Sequence, residues 1–386
     1  MGITSPARAA SGACAAVLGV LAAGAMAPAV AAGAASVPER ALAAGLERLV
    51  AAPGGPPGAI AVVQRDGDVR AYAAGVARRG GPPPRPADRM RLASASKALT
   101  GAVALALVRR GRLALDDTIG LRLPGLPRAW HDVTLAQLMR HTSGVPDYIA
   151  NPGAQRAVGE SLTRAPAPRA LLRFVEDRPL DFAPGSRYRY SNSDNIIVGL
   201  MVEAATGARF EVALAREVAR PLGLRATGLP RGTALGAPAL RGYAPDPPGA
   251  PADLTRALAA GWAWTSGGII STPAELNRFI RAYVAGALTD PPARASQRLT
   301  VPGSSEPPGP GTIRAGLSLF RYATRCGVVW GHTGNTLGYT QFAAASPDGR
   351  RSAVVSVNAQ ITPRTDPRLF QRLRAAYAWA ACAALR

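Results

Sequence analysis

Residues 58–77, GAIAVVQRDGDVRAYAAGVA, hold two alternating apolar runs on either side of Asp66-Gly67. Successive strand residues face opposite sides and an Asp-Gly pair suits a tight turn, so this pattern predicts a β-hairpin. SKALTGAVALALVRRG, residues 96–111, is apolar on most sides and predicts a buried helix. Residues from 106 to 255 carry helical patterns split by Pro- and Gly-rich loops. GVVWGHTG (327–334) and SAVVSVNA (352–359) read as strands, and RLFQRLRAAYAWAACAAL (368–385) as a terminal helix. Strands at both ends with helices between them predict an α/β (α+β) chain. Its sheet regions are 38–105 and 256–386, its helical insertion 106–255, and the single unit spans 38–386.

The N-terminus has a different pattern. MGITSPARAASG carries Arg8 as its one charge, and the apolar stretch ACAAVLGVLAAGAMAPAV follows. Ala29-Val30-Ala31 offers an A-x-A cleavage site, with Ala32-Gly33-Ala34 as a second, so residues 1–31 read as an export signal. An uncleaved anchor is the competing reading; Pro28 and the many Ala and Gly residues weigh against it. Cys14 starts the apolar run, where a lipoprotein cysteine would follow it. The expected location is secreted or in the cell envelope, with no transmembrane segment after cleavage. Cleavage leaves Cys326 and Cys382, which either pair or lie buried as free thiols.

Charge changes the picture less than its size suggests. The net charge is +21, which points first to nucleic acid. Yet the arginines are scattered in ones and twos, and aromatics make up only 5% of the chain, so a solvated basic surface is the better reading. A hydrophobic content of 48% supports a sizeable core, and a monomer is expected. His131, His141 and His332 are the only histidines, none within helical reach of another, and there is no C-x-x-C or phosphate-binding G-x-x-x-x-G-K. Neither a metal nor a cofactor is expected.

Three stretches carry chemistry. Lys97 is the only lysine among 45 Lys and Arg residues, and it stands one helical turn after Ser94. A buried lysine can lose its proton and activate a serine hydroxyl, whereas arginine stays protonated. In YRYSNSDN (188–195), Tyr190 can act as a general acid or base and Asn192 can hold a substrate amide. Ser193-Asp194-Asn195 is the competing triplet, set aside because it runs straight into an apolar helix. In GHTGNTLGY (331–339), His332 offers a titratable ring, Thr333 a hydroxyl, and the backbone a place for an oxyanion hole. A Ser-His-Asp triad drawing on His141 and Asp147 is the rival constellation.

Taken in order, Ser94, Lys97, Tyr190, Asn192 and His332-Thr333-Gly334 resemble the serine penicillin-recognising (β-lactamase-like) family. The resemblance is closest to actinomycete D-alanyl-D-alanine carboxypeptidases and class C β-lactamases. GRLALDDTIGLRLPG (111–125), LMRHTSGVPDY (138–148) and FAPGSRYRYSN (182–192) support it. It implies an antiparallel sheet flanked by helices with an all-helical region inserted. Ser94 would be acylated, with Lys97 and Tyr190 sharing proton transfer. Asn192 and Thr333 would bind substrate, and the backbone N–H groups of Ser94 and Asn335 would form the oxyanion hole. Trp262 would wall the pocket, and Cys326 and Cys382 would form a disulfide. The implied function is a secreted D-alanyl-D-alanine carboxypeptidase acting on peptidoglycan stem peptides and bound by β-lactams. The alternative is a β-lactamase or small-ester hydrolase. One departure stands out: LSLFRYATRCG (317–327) puts Phe320 at the place of an arginine that grips the substrate carboxylate in those carboxypeptidases, with Arg321 beside it, so either the register shifts by one or carboxylate recognition is weakened.

Overall fold

The structure, a computed structural model, describes Gly2 and residues 35–244, 252–305, 311–364 and 366–386. The expected export signal, with Arg8, Cys14 and Ala29-Val30-Ala31, lies outside the described residues. Ser36–Arg386 form one compact unit. Helix α1 (Val37–Val50) opens it, its first turn closed by a capping box between Ser36 and Glu39. The predicted hairpin follows as β1 (Gly58–Arg65) and β2 (Asp68–Gly75). Asp66 and Gly67 both take positive φ, 47° and 101°, as a two-residue hairpin turn of this hand requires.

Helix α2 (Ser96–Arg109) is buried along most of its length. Its small residues allow close packing: a Cβ on Gly101 would lie 2.3 Å from Cβ of Ser318. Helices α3 (Leu135–Arg140), α4 (Asn192–Thr206) and α5 (Pro273–Ala285) come next. The chain then returns to the sheet through β3 (Val301–Pro302), β4 (Thr312–Ala315), β5 (Phe320–Thr324), β6 (Gly327–Thr336), β7 (Tyr339–Ala345) and β8 (Arg351–Val357). Helix α6 (Pro367–Leu385) closes it.

These eight strands form one antiparallel sheet, ordered β2-β1-β8-β7-β6-β5-β4-β3, and Met90–Arg91 pairs separately with Ile270–Ser271. β1 sits beside β8, so the first and last strands of the unit pair. Their side chains alternate between two cores. Val63 and Val355 pack with Leu42, Leu46, Leu373 and Tyr377 of α1 and α6 on one face. Val62 and Val354 belong to the core that holds Leu99 and Val103 of α2 and Phe279 of α5 on the other. The expected boundary at 105/106 falls inside α2, and apart from the short strand Ile270–Ser271 the sheet resumes at Val301 after helices joined by loops. Turn and loop chemistry sets those limits, and apolar periodicity does not show it. Cys326 and Cys382 face each other as a pair with Cα atoms 5.2 Å apart, which brings α6 to the start of β6. Among the described residues, no helix is long and apolar enough to cross a membrane and no cluster of candidate metal ligands occurs.

Candidate active site

Ser94 lies in the 3-10 turn Ala93–Ala95 that leads directly into α2. Ala93 has a φ of 49°, left-handed backbone that costs about 1–2 kcal/mol for a residue with a Cβ. The surrounding packing holds it there. β6 presses on this turn: a Cβ on Gly334 would sit 2.3 Å from the Leu92 carbonyl oxygen and 3.1 Å from Ala95 N. Glycine at 334 is what lets the strand approach the serine. β5 accompanies β6 only as far as the Phe320–Gly331 pair, while β7 continues to Thr336. Beyond that pair the β6 edge from His332 to Thr336 runs past the Ser94 turn, where an extended substrate can lie alongside the strand.

Lys97 is fully buried. Its Nζ donates to Ser94 Oγ (3.2 Å), Asn192 Oδ1 (2.8 Å) and the Ser266 carbonyl (2.7 Å). Three acceptors use all three hydrogens of an ammonium; the neutral amine keeps one lone pair for a proton. Burial lowers its pKa from 10.5 to about 7, against the raising pull of Asp147 first. The lysine thus titrates near neutrality within reach of the serine hydroxyl.

Asn192 is set from behind. Asp147 Oδ1 accepts from the Asn192 backbone N–H (3.1 Å), and Oδ2 accepts from Nδ2 (3.0 Å). The amide oxygen must then face Lys97 and the nitrogen Asp147. The Tyr190 ring centroid is 4.8 Å from Lys97 Nζ and 4.4 Å from the His141 ring, tilted by 33°. The Tyr190 hydroxyl is buried and has no hydrogen-bond partner among the described residues. Burial raises its pKa above that of an ordinary phenol, and the nearby Ser94 side chain pulls the other way.

On the strand edge, His332 is buried, with Nδ1 2.5 Å from the Thr333 carbonyl oxygen and the Phe320 ring edge-on to it at 4.9 Å. Burial pushes its pKa down to about 3, so the ring is neutral at physiological pH. Thr333 Oγ1 is 2.5 Å from Ser305 Oγ. The Asn335 side chain donates to Thr340 Oγ1 and the Ile361 carbonyl and accepts from Gln360, so its backbone is what it can offer a substrate. Trp262 is buried, its indole N–H bonded to the Ser161 carbonyl, and its own carbonyl accepts from Tyr148 beside Asp147. Phe320 is buried against the α1/α6 core, and Arg321, its neighbour on β5, pairs with Trp330.

Ser94, Lys97, Tyr190 and Asn192 thus come together as one cluster with the Gly334 edge against it. The rival triad does not form: His141 meets Asp194, 2.8 Å away, while Asp147 serves Asn192. Ser143 and the Ser266 carbonyl went unmarked as site residues, and Asp194 was set aside with the Ser193-Asp194-Asn195 triplet; its signal was a charge at the start of an otherwise apolar helix.

Residues 46–378 match the family described as Beta-lactamase. Esterase EstB of Burkholderia gladioli is 34% identical over 188 residues, 44% of this chain and 46% of that protein. Penicillin-binding protein 4 of Amycolatopsis lactamdurans is 32% identical over 177 residues, 44% of this chain and 43% of the relative. The matched stretches span less than half the length of these curated relatives. A solved D-stereospecific amidohydrolase from Streptomyces sp. superposes with a TM-score of 0.74 at 31% identity, covering 83% of this chain and 94% of that one.

Proposed function

Because this chain belongs to the Beta-lactamase family, as a serine hydrolase of that fold, we propose that Ser94 is its nucleophile and that it cleaves amide or ester bonds of D-configured substrates. The observation that carries this reading is the Lys97 ammonium, buried and bonded to Ser94 Oγ. Once neutral, Lys97 takes the Ser94 proton as Oγ bonds to the substrate carbonyl carbon. The carbonyl electron pair moves onto oxygen, toward the backbone N–H groups of Ser94 and Asn335. Collapse expels the amine or alcohol, which takes a proton delivered through Tyr190, and water then frees the acyl group and restores Ser94. Asn192 and Thr333 orient the acyl donor, His332 and Gly334 shape the edge, and Trp262 bounds the pocket.

The D-configuration rests on similarity to the Streptomyces amidohydrolase. Phe320 supports substrates with no free carboxylate at the leaving end, because it stands where the resemblance expects an arginine and its buried ring offers an anion no partner. A D-alanyl-D-alanine carboxypeptidase of peptidoglycan stem peptides is the second reading, supported by the His332-Thr333-Gly334 triplet and by the penicillin-binding relative. The proposal includes export and an oxidised Cys326–Cys382 pair. The test is product release by wild type and Ser94→Ala from D-alanine amide, a peptide ending in D-Ala-D-Ala, and nitrocefin. Release from the amide well above the peptide supports the first reading, and the reverse order supports the second. Turnover dominated by nitrocefin makes the chain a β-lactamase. Undiminished turnover by Ser94→Ala removes Ser94 as the nucleophile.

A further inference from the structure

Behind Tyr190, on the side away from any function assigned above, lies a buried acid with no arginine or lysine paired to it among the described residues. Asp194, in the first turn of α4, is 0% exposed, and His141, in left-handed backbone at the end of α3, is 3% exposed. Asp194 Oδ2 is 2.8 Å from His141 Nδ1, and Asp194 Oδ1 accepts from Ser143 Oγ at 2.5 Å. The Val145 N–H donates to the same hydroxyl oxygen, which leaves the Ser143 hydrogen free to point at Asp194 Oδ1.

A second contact decides where the proton between Asp194 and His141 lies. The Ser191 backbone N–H donates to His141 Nδ1 at 3.3 Å. An imidazole nitrogen carries either a hydrogen or a lone pair. A backbone N–H aimed at Nδ1 favours a lone pair there, and with no cation paired to Asp194 among the described residues this assigns the hydrogen of the 2.8 Å contact to the acid. We propose that Asp194 is a protonated carboxylic acid donating through Oδ2 to Nδ1 of a neutral His141, and that this uncharged pair positions Tyr190.

Burial supports both halves, raising the pKa of Asp194 well above the carboxylate range and lowering that of His141 well below the histidine range. The charged and titratable groups facing the pair are Lys97 from α2, Asp147 from the loop after α3, Tyr190 from the loop before α4, and His332 from β6, itself neutral. The pair does two things. It holds a flat imidazole 4.4 Å from the Tyr190 ring, which fixes the phenol beside Ser94. It also keeps a second negative charge away from Lys97, which would otherwise hold its proton to higher pH. His141 and Asp194 are positioning residues that act through Tyr190 and Lys97, so the inference rests on the proposed roles of those two.

The distinguishing variant is Asp194→Asn. An asparagine Nδ2–H donates to Nδ1 as the acid does, and its Oδ1 accepts from Ser143. The rate of Ser94 labelling by a fluorophosphonate probe is followed against pH for wild type, Asp194→Asn and Asp194→Ala, with Ser94→Ala as the control. Asp194→Asn should label within about threefold of wild type with its acid limb at the same pH, while Asp194→Ala slows labelling about 10- to 100-fold through a misplaced phenol. An acid limb moved to lower pH in Asp194→Asn would mean a carboxylate charge had been removed and would overturn the proposal, as would wild-type labelling by Asp194→Ala. If Asp194→Ala does not fold, the infrared difference between wild type and Asp194→Asn at pH 8 decides. The carbonyl stretch of a protonated acid in wild type supports a neutral Asp194, and its absence refutes it. Wild type that resists the probe would sink the Ser94 reading, while the infrared band would still decide the charge of the pair.

Discussion

Glu39 on α1 and Asp194 on α4 are both acids buried to within a few per cent of complete enclosure, yet their surroundings drive them in opposite directions. Glu39 accepts from the Ser36 backbone N–H (2.6 Å), the Tyr72 hydroxyl (2.7 Å) and Arg70 Nη1 (3.1 Å). Burial works to raise its pKa, but these donors outweigh it and hold the carboxyl down at about 2. Asp194 meets one hydroxyl and an imidazole, and burial wins. Depth alone therefore does not set the state of a buried acid; the number of donors and the presence of a cation do. The contrast separates two kinds of region. Where α1 meets the β1–β2 hairpin, Arg70 compensates both Glu39 and Asp68 and the result is stability. Around Ser94, charges are left under-compensated, so Lys97, which makes no ion pair among the described residues, sits close to giving up its proton.

The strongest way to break this comparison is Lys97→Arg, which keeps the charge and removes the ability to titrate. Fluorophosphonate labelling of Ser94 should fall by about 100- to 10,000-fold, the usual worth of a positioned general base. Retained labelling would mean that Lys97 serves only as a cation. The pH profile sharpens the same point. Below about 7 Lys97 keeps its proton and cannot accept one from Ser94, so the labelling rate should fall about tenfold per pH unit on the acid side and level off above. A rate unchanged between pH 5 and 9 removes Lys97 as the base. The smallest effect belongs to the compensated region. Glu39→Gln should cost about 1–3 kcal/mol of stability in urea titration and leave labelling unchanged. The sign follows from its lowered pKa: the contribution is full above the unfolded value near 4.5 and is lost as pH falls towards about 2. The stability gap between wild type and Glu39→Gln should close over that range, and a gap that widened instead would mean the carboxylate is not the stabilising form.

Much of this was legible in the chain where the controlling distances are short. The hairpin at Asp66-Gly67 and the buried helix from Ser96 follow from periods of two and 3.6 residues. The Ser94–Lys97 spacing is one helical turn, so their contact is nearly dictated once the helix exists. The sheet was harder to read, because β1 pairs with β8 from the far end of the chain and no local pattern records that. The pairing of His141 with Asp194 was missed for the same reason: Asp147 is nearer in sequence, but the fold brings α4 to the end of α3 and assigns the closer acid to Asn192.

By itself, then, the amino-acid sequence determined which residues were chemically able to act: one titratable lysine in an arginine-rich chain, a serine a turn before it, a phenol, a carboxamide and a glycine-bearing strand. Only the tertiary structure decided their states. Asn192 reaches Lys97 across 95 residues, Gly334 lets the β6 strand approach the serine's turn, Phe320 is buried against His332, and Asp194 is enclosed with no arginine or lysine paired to it among the described residues. Periodicity is a property of neighbours along the backbone, whereas the charge on a buried group depends on every dipole and ion the fold places around it.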